Sequence, residues 1–194
     1  MDMKESAGGM LLVRHGAVAA EVRARCYGRS DVELSPEGIR QHLDLVERLA
    51  SNLKGISIRC VYHSGMARTR HLAVQLGEVL EAPVSADWNL RERDFGSWEL
   101  KPWDDLHEEC GDQLMRMISE PDSFRPGGGE TTHELRDRIY HWYVDTPRAG
   151  WGIAVTHGGP IAALLGTLRG LPVEEWLSLI PAYGSVTYLA KEQT

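Results

Sequence analysis

The stretch Met10-Leu11-Leu12-Val13-Arg14-His15-Gly16 carries the strongest signal for the fold. Its apolar residues form a short continuous run that ends abruptly in charge, which is typical of a strand buried on both faces of a sheet. A strand of this kind places Arg14 and His15 at its carboxyl end. The sequence therefore predicts a sheet whose edge carries a guanidinium group beside an imidazole.

Two later segments end in the same way. Residues 56–62 are rich in Ile and Val and stop at His63-Ser64, and residues 151–156 stop at His157-Gly158. Helical patterns alternate with these strands, which predicts an α/β fold with a mostly parallel sheet covered by helices on both faces. Because parallel strands end at the same edge, we expect the three histidine-bearing ends to converge on one cleft.

Local signals place several helices. Ser35 and Pro36 provide a cap and a first turn, and Thr131 with Glu134 forms a capping box at the start of another helix. The first of these helices is expected to bury an apolar stripe, formed by Ile39, Leu43, Val46, Leu49 and Leu53. We expect one domain over residues 1–194, with a helical excursion at roughly 98–128.

The composition argues against several classes of function. A formal net charge of -7 disfavours a nucleic-acid or anionic-membrane surface, because both require a broad basic face. Three widely spaced cysteines suggest neither a disulfide framework nor a paired-cysteine zinc site, so a cytoplasmic location is expected. We expect neither a cleaved signal peptide nor a membrane span.

One stretch of the chain is locally basic. Between residues 14 and 29 it carries the single acid Glu21 against four arginines, Arg14, Arg23, Arg25 and Arg29. The stretch is either part of a pocket for an anionic small molecule or a solvated basic loop, and the charges alone do not decide between them.

The residues expected at the cleft suit phosphoryl transfer. A phosphoryl group in transfer needs cationic donors around its equatorial oxygens and a nucleophile in line. Arg14 and Arg68 can supply paired guanidinium donors. His15 can act as the nucleophile and His157 as a further donor, while Gly158 lets a backbone N–H approach at a helix start.

Other interpretations of these residues stay open. A lone histidine or arginine at a strand end is more often structural than functional. A metal site built from the 8 histidines is a second possibility. However, the sequence has neither a helical two-histidine motif with an intervening Glu nor zinc-like pairs of Cys and His, so we expect no metal.

Together these motifs resemble the histidine phosphatase superfamily, also called the phosphoglycerate mutase-like family. The likeness runs in the family's order over nearly the whole chain and rests on three segments, Leu12-Val13-Arg14-His15-Gly16, Ser64-Gly65-Met66-Ala67-Arg68 and Val155-Thr156-His157-Gly158-Gly159. The resemblance implies a three-layer α/β/α fold, no metal or other cofactor, and a two-step mechanism through phosphohistidine. It makes His15 the phosphoryl acceptor and makes Arg14, Arg68 and His157 its binding partners.

A further likeness concerns the proton donor. Leu90-Arg91-Glu92, followed by Phe95-Gly96-Ser97-Trp98-Glu99, is similar to the family's acid loop. This similarity makes Glu92 the general acid rather than Asp94 or Glu99. By composition alone the same tract is a solvated acidic loop.

Within the family, the loop Cys26-Tyr27-Gly28-Arg29-Ser30-Asp31 and the Phe-Gly-x-Trp-Glu tract resemble small bacterial phosphatases, including α-ribazole phosphatases. The likeness implies substrate contacts from Gly28, Arg29 and Gly158. The chain departs from many relatives at Glu21, where they carry Asn, and at His71-Leu72, where they carry Gln-Thr. These departures bear on substrate contacts more than on the core chemistry.

The expected activity is therefore hydrolysis of a small-molecule phosphate ester, with α-ribazole phosphate as one candidate substrate. One alternative is a phosphoglycerate mutase, which would hand the phosphoryl group to a second substrate oxygen. The other is a non-catalytic phosphate-binding protein, whose mark would be loss of the nucleophile or of an arginine. We expect no nucleic-acid or membrane partner, and the sequence makes no prediction of oligomeric state.

Overall fold

A five-stranded sheet lies at the centre of residues 8–147 and 149–190, the part of the chain that the computed structural model describes. In chain order the strands are β1 (Gly8–Arg14), β2 (Ile58–His63), β3 (Val84–Ala86), β4 (Gly150–Thr156) and β5 (Val186–Ala190). Across the sheet their order is β3-β2-β4-β1-β5. All neighbouring strands are parallel except the pair of β1 and β5, which is antiparallel.

The register of the two central strands brings the predicted site together. β1 and β4 pair with Arg14 opposite Thr156, so the next residue on each strand, His15 and His157, leaves the sheet at the same edge. The backbone N–H of His15 still donates to the carbonyl of Thr156, at 3.1 Å. The convergence of these two strand ends therefore follows directly from parallel pairing.

Seven α-helices within the described residues connect and cover the strands. They are α1 (Ala20–Arg23), α2 (Pro36–Asn52), α3 (Ala67–Val79), α4 (Trp103–Cys110), α5 (Arg116–Ser119), α6 (Thr132–Asp145) and α7 (Gly158–Leu168). The cap at Ser35 and the capping box at Thr131 and Glu134 both form as expected from the sequence.

Helices pack on both faces of the sheet. On one face α2 and α3 bury Leu49 and Leu76 against β-strand residues such as Val13. On the other face α6 and α7 bury side chains such as Ile139 and Leu164. The predicted α/β fold with three layers is confirmed.

The buried face of α2 differs from the expected stripe. Ile39 and Leu43 are 41% and 49% exposed, whereas His42 is fully buried beside Leu45 and Leu49. The prediction that Ile39 and Leu43 are buried was therefore wrong. Hydropathy assigns a histidine to the surface, but His42 has polar partners in the interior and takes a buried position instead. The same rotation of α2 brings its polar residues to the end of β1.

The stretch at 98–128 follows the 3-10 turn Gly96–Trp98 and contains α4, α5 and the 3-10 turns Gly111–Met115 and Pro126–Gly128. It packs around a small apolar cluster of its own that includes Cys26, Trp98 and Leu106. A further 3-10 segment, Val173–Leu179, lies against α7, with the indole of Trp176 beside Gly166. Over the described ranges, no helix is both long enough and apolar enough to cross a bilayer.

Candidate active site

His15 is held in one tautomer by the peptide that follows it. The imidazole is 1% exposed, and its Nδ1 lies 2.7 Å from the carbonyl oxygen of Gly16. Because a carbonyl only accepts, Nδ1 carries the proton and Nε2 keeps its lone pair. Burial and the neighbouring Arg68 lower the pKa of His15 well below its ordinary value, so the ring is neutral and Nε2 is available as a nucleophile.

Two consecutive residues of α2 hold the chain after His15. The N–H of Gly16 donates to Nε2 of His42 at 2.7 Å, and the N–H of Ala17 donates to Oε1 of Gln41 at 2.9 Å. A side chain at residue 16 would not fit, because a Cβ there would lie 2.4 Å from the carbonyl oxygen of Gly38. The peptide that orients His15 is therefore fixed from the side opposite the cleft.

His42 is itself oriented by His71. Since Nε2 of His42 accepts from Gly16, its Nδ1 carries the proton and donates to Nδ1 of His71 at 2.9 Å. Burial, and then the proximity of His71, lower the pKa of His42 to about 4. The pair thus keeps His42 neutral, which it must be to accept a hydrogen bond.

Arg14 lies beside His15 with much of its guanidinium uncommitted. Its Nη1 donates to the carbonyl of Pro181 at 2.6 Å, and its Cζ stacks 3.9 Å from the centre of the Tyr183 ring. The Tyr183 ring centre is also 5.5 Å from that of His15. Gly158 permits this packing, since a Cβ there would approach Arg14 Cζ to 3.2 Å.

Arg68 projects from the first turn of α3 into the interior and is fully buried. Its Nη1 donates to the carbonyl of Ser30 at 2.8 Å and its Nη2 to that of Gly28 at 2.7 Å. Both partners are neutral carbonyls, so they fix the guanidinium without neutralising its charge. Gly28, expected to contact substrate, thus positions Arg68 and also lines the adjoining cavity.

His157 stands edge-on to His15, with ring centres 5.1 Å apart. Its Nε2 lies 2.8 Å from Oγ of Ser64, which lies 2.8 Å from Oγ1 of Thr69. Thr69 donates onward to the carbonyl of Met66 at 2.9 Å. Because the Thr69 hydroxyl donates to Met66, the Ser64 hydroxyl donates to Thr69 and accepts from Nε2 of His157, which therefore carries the proton. Nδ1 is the ring nitrogen left for a ligand.

Unsatisfied polar atoms concentrate at this point. Within residues 8–147 and 149–190, six buried side-chain nitrogen or oxygen atoms have no hydrogen-bond partner, and three of them are Nε of Arg14, Nε of Arg68 and Nδ1 of His157. Burying a polar group without a partner is costly and therefore rare. The two guanidinium nitrogens carry N–H donors, and Nδ1 of His157 becomes a donor when that ring is doubly protonated, so this group of atoms suits an anion with several oxygens.

Glu92 reaches the same site from the acid loop. Its Oε1 accepts from the N–H of Arg93 at 2.9 Å and its Oε2 from the N–H of Gly159 at 3.2 Å. A Cβ on residue 159 would lie 2.2 Å from Oε1, so glycine is required there for the carboxyl group to approach α7.

The two competing carboxylates are committed elsewhere. Asp94 accepts from the N–H of Gly96 and from Arg29, and Glu99 accepts from the N–H of Arg29 and from the hydroxyl of Ser30. Neither lines the cavity that opens beside Arg14, whereas Glu92 does. The geometry favours Glu92 as the acid of the site.

Arg29 requires a correction. We expected it to contact substrate, but its guanidinium donates to Asp94 and Glu130, each at 3.2 Å, and to the carbonyl of Glu92 at 3.3 Å. Two carboxylates therefore already neutralise its charge. Arg29 ties the acid loop together with Arg138, which donates to the same Glu92 carbonyl at 3.0 Å.

The third histidine-bearing strand end contributes through its serine. His63 turns to its own loop, where its Nδ1 accepts from the N–H of Gly65 at 3.0 Å, while Ser64 binds His157. Glu21, which we noted as a departure from relatives, is exposed on α1 and does not line the cavity.

Several site residues were missed from the sequence. Tyr183 arrives on the turn before β5, and its hydroxyl lies 2.8 Å from that of Tyr27. Gln41 and His42 looked like ordinary helix residues because nothing local distinguishes them. Their role is visible only in the folded structure, where both accept backbone N–H groups just after the end of β1.

The buried neutral histidine pair predicts acid sensitivity. His42 titrates near 6.5 when unfolded and at about 4 when folded, so between these pH values the unfolded state binds more protons. The free energy of unfolding should therefore fall as the pH is lowered from about 6.5 to about 4, by at most about 1.4 kcal/mol per pH unit for this residue.

Denaturant unfolding across that pH range measures the effect, with His42→Gln as the matched variant. Glutamine can still accept from Gly16 but does not titrate, so the variant should show a shallower slope and near-normal stability at pH 8. Identical slopes for both proteins would show that His42 does not carry the effect.

With this geometry established, the chain can be compared with known proteins. A model of the histidine phosphatase superfamily (branch 1) matches residues 10–193. A protein named probable phosphoglycerate mutase GpmB from Salmonella choleraesuis is 30% identical over 164 residues, covering 83% of this chain and 74% of that protein.

Solved structures show the same architecture. A mycobacterial glucosyl-3-phosphoglycerate phosphatase is 28% identical with a TM-score of 0.79, covering 94% of this chain and 90% of its own. The α-ribazole phosphatase from Shigella flexneri has a TM-score of 0.77 over 92% of this chain and 88% of its own, and at 24% identity it shows the fold alone. The assignment made from the sequence motifs is confirmed, and the chain belongs to the histidine phosphatase superfamily, branch 1.

Proposed function

We propose that the protein hydrolyses small-molecule phosphate monoesters in two steps through a phosphohistidine at His15. The observation that carries the proposal is the pair of unsatisfied N–H donors on Arg14 and Arg68, together with the unpartnered Nδ1 of His157, beside a neutral imidazole whose Nε2 is free. This arrangement matches the needs of phosphoryl transfer, which are an in-line nucleophile and fixed positive charge around the equatorial oxygens.

In the first step Nε2 of His15 attacks phosphorus while the bond from phosphorus to the ester oxygen breaks. Arg14 and Arg68 hold the phosphoryl oxygens, and the negative charge of the group favours the doubly protonated ring of His157, whose Nδ1–H donates to it. Glu92, in its neutral form, gives its proton to the departing alkoxide. The products are the alcohol and phosphohistidine.

In the second step a water molecule takes the place of the alcohol. The Glu92 carboxylate accepts a proton from this water as its oxygen attacks phosphorus and the bond to Nε2 breaks. Inorganic phosphate leaves, His15 returns to the neutral form with the proton still on Nδ1, and Glu92 is again protonated.

A mutase is the second candidate, because the Salmonella relative carries that name. The hydrolase reading is supported by the cavity beside Arg14 and Glu92, which has a volume of about 450 Å³ and mostly apolar walls. A space of this kind suits a bulky alcohol better than it suits a phosphoglycerate. α-Ribazole phosphate, with its aromatic base, is one candidate substrate on these grounds and on the loop resemblance of residues 26–31.

A panel of phosphate monoesters tests the hydrolase proposal. It should include α-ribazole phosphate, glucosyl-3-phosphoglycerate, 3-phosphoglycerate and nitrophenyl phosphate, with released phosphate as the readout. We expect turnover of at least one, and a loss of about 10³-fold or more in His15→Ala. If adding 2,3-bisphosphoglycerate made conversion of 3-phosphoglycerate to 2-phosphoglycerate faster than phosphate release, the protein would be a mutase.

The role of Glu92 has its own signature. Alkoxides are poor leaving groups without a proton, so Glu92→Gln should slow alkyl phosphate hydrolysis by about 10²–10⁴-fold. Nitrophenyl phosphate should be affected much less, because nitrophenolate departs without protonation. Comparison of kcat for both substrates, with Glu99→Gln as the control carboxamide, measures this. Equal losses on the two substrates would move the acid to Asp94 or Glu99.

A further inference from the structure

The cavity that would receive the alcohol part of the substrate has a distinct chemical character. It opens from Arg14, Glu92 and Gly159 and has the size of a typical small-ligand pocket. Most of its wall is apolar and comes from the helical excursion and from the segment before β5, with Phe95, Trp103, Leu114, Ile118, Trp176 and Ile180 among the lining residues. An alcohol with an apolar body would gain by burial there.

One charged side chain in this cavity stands out. Arg93 follows Glu92 directly and lines the cavity beside Phe95, whose ring centre lies 5.9 Å from its Cζ. Its guanidinium makes no hydrogen bond or ion pair with any residue of the described ranges, and the residue is half-buried. Burial lowers the pKa of Arg93, yet an arginine stays charged in proteins.

The carboxylates nearest to Arg93 are engaged with other groups. Both oxygens of Glu92 accept backbone N–H groups. Glu130 accepts from Arg138 at 2.6 and 3.0 Å and from Arg29 at 3.2 Å. The charge of Arg93 is therefore balanced only through space, by the carboxylates of Glu92 and Glu130, and its guanidinium donors remain available to a ligand in the cavity.

The balance of charge around the cavity points the same way. Besides Arg14 and Arg93 its lining includes Arg23 and Arg25 from the basic stretch noted in the sequence, and Glu92 is the single carboxylate among the lining residues. Arg23 is paired with Glu37 at 3.3 Å, whereas Arg25 donates to the carbonyls of Glu21 and Leu100, which leaves its charge unneutralised. A chain with a net charge of -7 thus places four arginines on this one cavity.

From these observations we propose that Arg93 binds a second acidic group on the substrate, so that the natural substrate class is a phosphate monoester of an alcohol with an apolar body and a carboxylate or second phosphate. The inference rests on the proposed hydrolase activity, and it names the chemistry of the leaving group. Arg14 and Arg68 hold the phosphoryl group, Arg93 holds the acidic group, and the apolar wall covers the part between them. α-Ribazole phosphate lacks the acidic group and would use only the apolar wall.

Carboxyphenyl phosphates and the matching carbamoylphenyl phosphates test the role of Arg93. The two sets have the same shape and differ in one negative charge, and all three ring positions should be compared by kcat/KM. In the wild-type protein at least one carboxylate isomer should be preferred over its amide by about tenfold or more, the usual effect of a hydrogen bond to a charged group. In Arg93→Met that preference should fall to about twofold or less, and Arg93→Lys should keep part of it.

The comparison contains its own controls. Leaving-group acidity cancels because the acid-to-amide ratio is compared between variants, and turnover of the amide by Arg93→Met shows that the variant is folded. Arg91→Met removes the same charge from a side chain stacked on Trp88, 3.3 Å from the ring centre, and should leave the ratio unchanged. If Arg93→Met left the acid-to-amide ratio of kcat/KM unchanged, which includes equal losses on both substrates, the assignment of Arg93 would be overturned and the hydrolase proposal would still stand.

The apolar part of the proposal is tested with neutral alkyl phosphates. Ethyl and hexyl phosphate release alcohols of nearly equal acidity, so their kcat/KM values differ mainly through burial of the chain. Hexyl phosphate should be favoured by about tenfold or more. Equal values would show that the apolar wall does not receive the alcohol, whereas no phosphate release from any ester would count against the hydrolase proposal itself.

Discussion

The hydrogen bond from Nδ1 of His15 to the carbonyl of Gly16 is the interaction on which the site depends. It decides which nitrogen of a buried imidazole keeps its lone pair and so, in the proposed reaction, which atom accepts the phosphoryl group. The carbonyl can serve only because the peptides around it are held from behind by Gln41 and His42. The chemistry at the sheet edge therefore depends on the packing of α2, a helix that does not itself enter the cleft.

The site also requires residues that are distant in sequence to lie close together, and the sheet topology achieves this. Parallel pairing of β1 and β4 places His15 and His157 side by side although they are far apart in the sequence. Two further segments contribute side chains to the site. Arg68 comes from the start of α3 and Tyr183 from the turn before β5. Glycines at 158 and 159 let Arg14 and Glu92 approach the start of α7 closely.

The fold was largely predictable because its signals are local. Buried strands that end in Arg14-His15 and Thr156-His157, together with the caps at Ser35 and Thr131, identify an α/β sheet without any knowledge of tertiary contacts. The orientation of α2 was not predictable in this way. Its buried face is chosen by a histidine whose partners, Gly16 and His71, come from other parts of the chain.

The same distinction holds within the site. Arg14, His15, Arg68 and His157 could be named from motifs, whereas Arg29 was misplaced because a free arginine and one neutralised by Asp94 and Glu130 look alike in sequence. Conversely, Arg93 carries no mark in the sequence, and only the folded structure shows that its guanidinium lines the cavity without a hydrogen-bond partner among the described residues.

The most direct test of this account is the identity of the phosphorylated atom. Single-turnover reaction with a phosphate monoester, followed by a basic quench that preserves phosphohistidine, allows the label to be located by peptide mapping and ³¹P NMR. The account predicts a phosphoryl group on Nε2 of His15, because Nδ1 is tied to Gly16. A phosphoryl group on Nδ1 or on another residue, or full turnover with no phosphoenzyme and with His15→Ala still active, would contradict it.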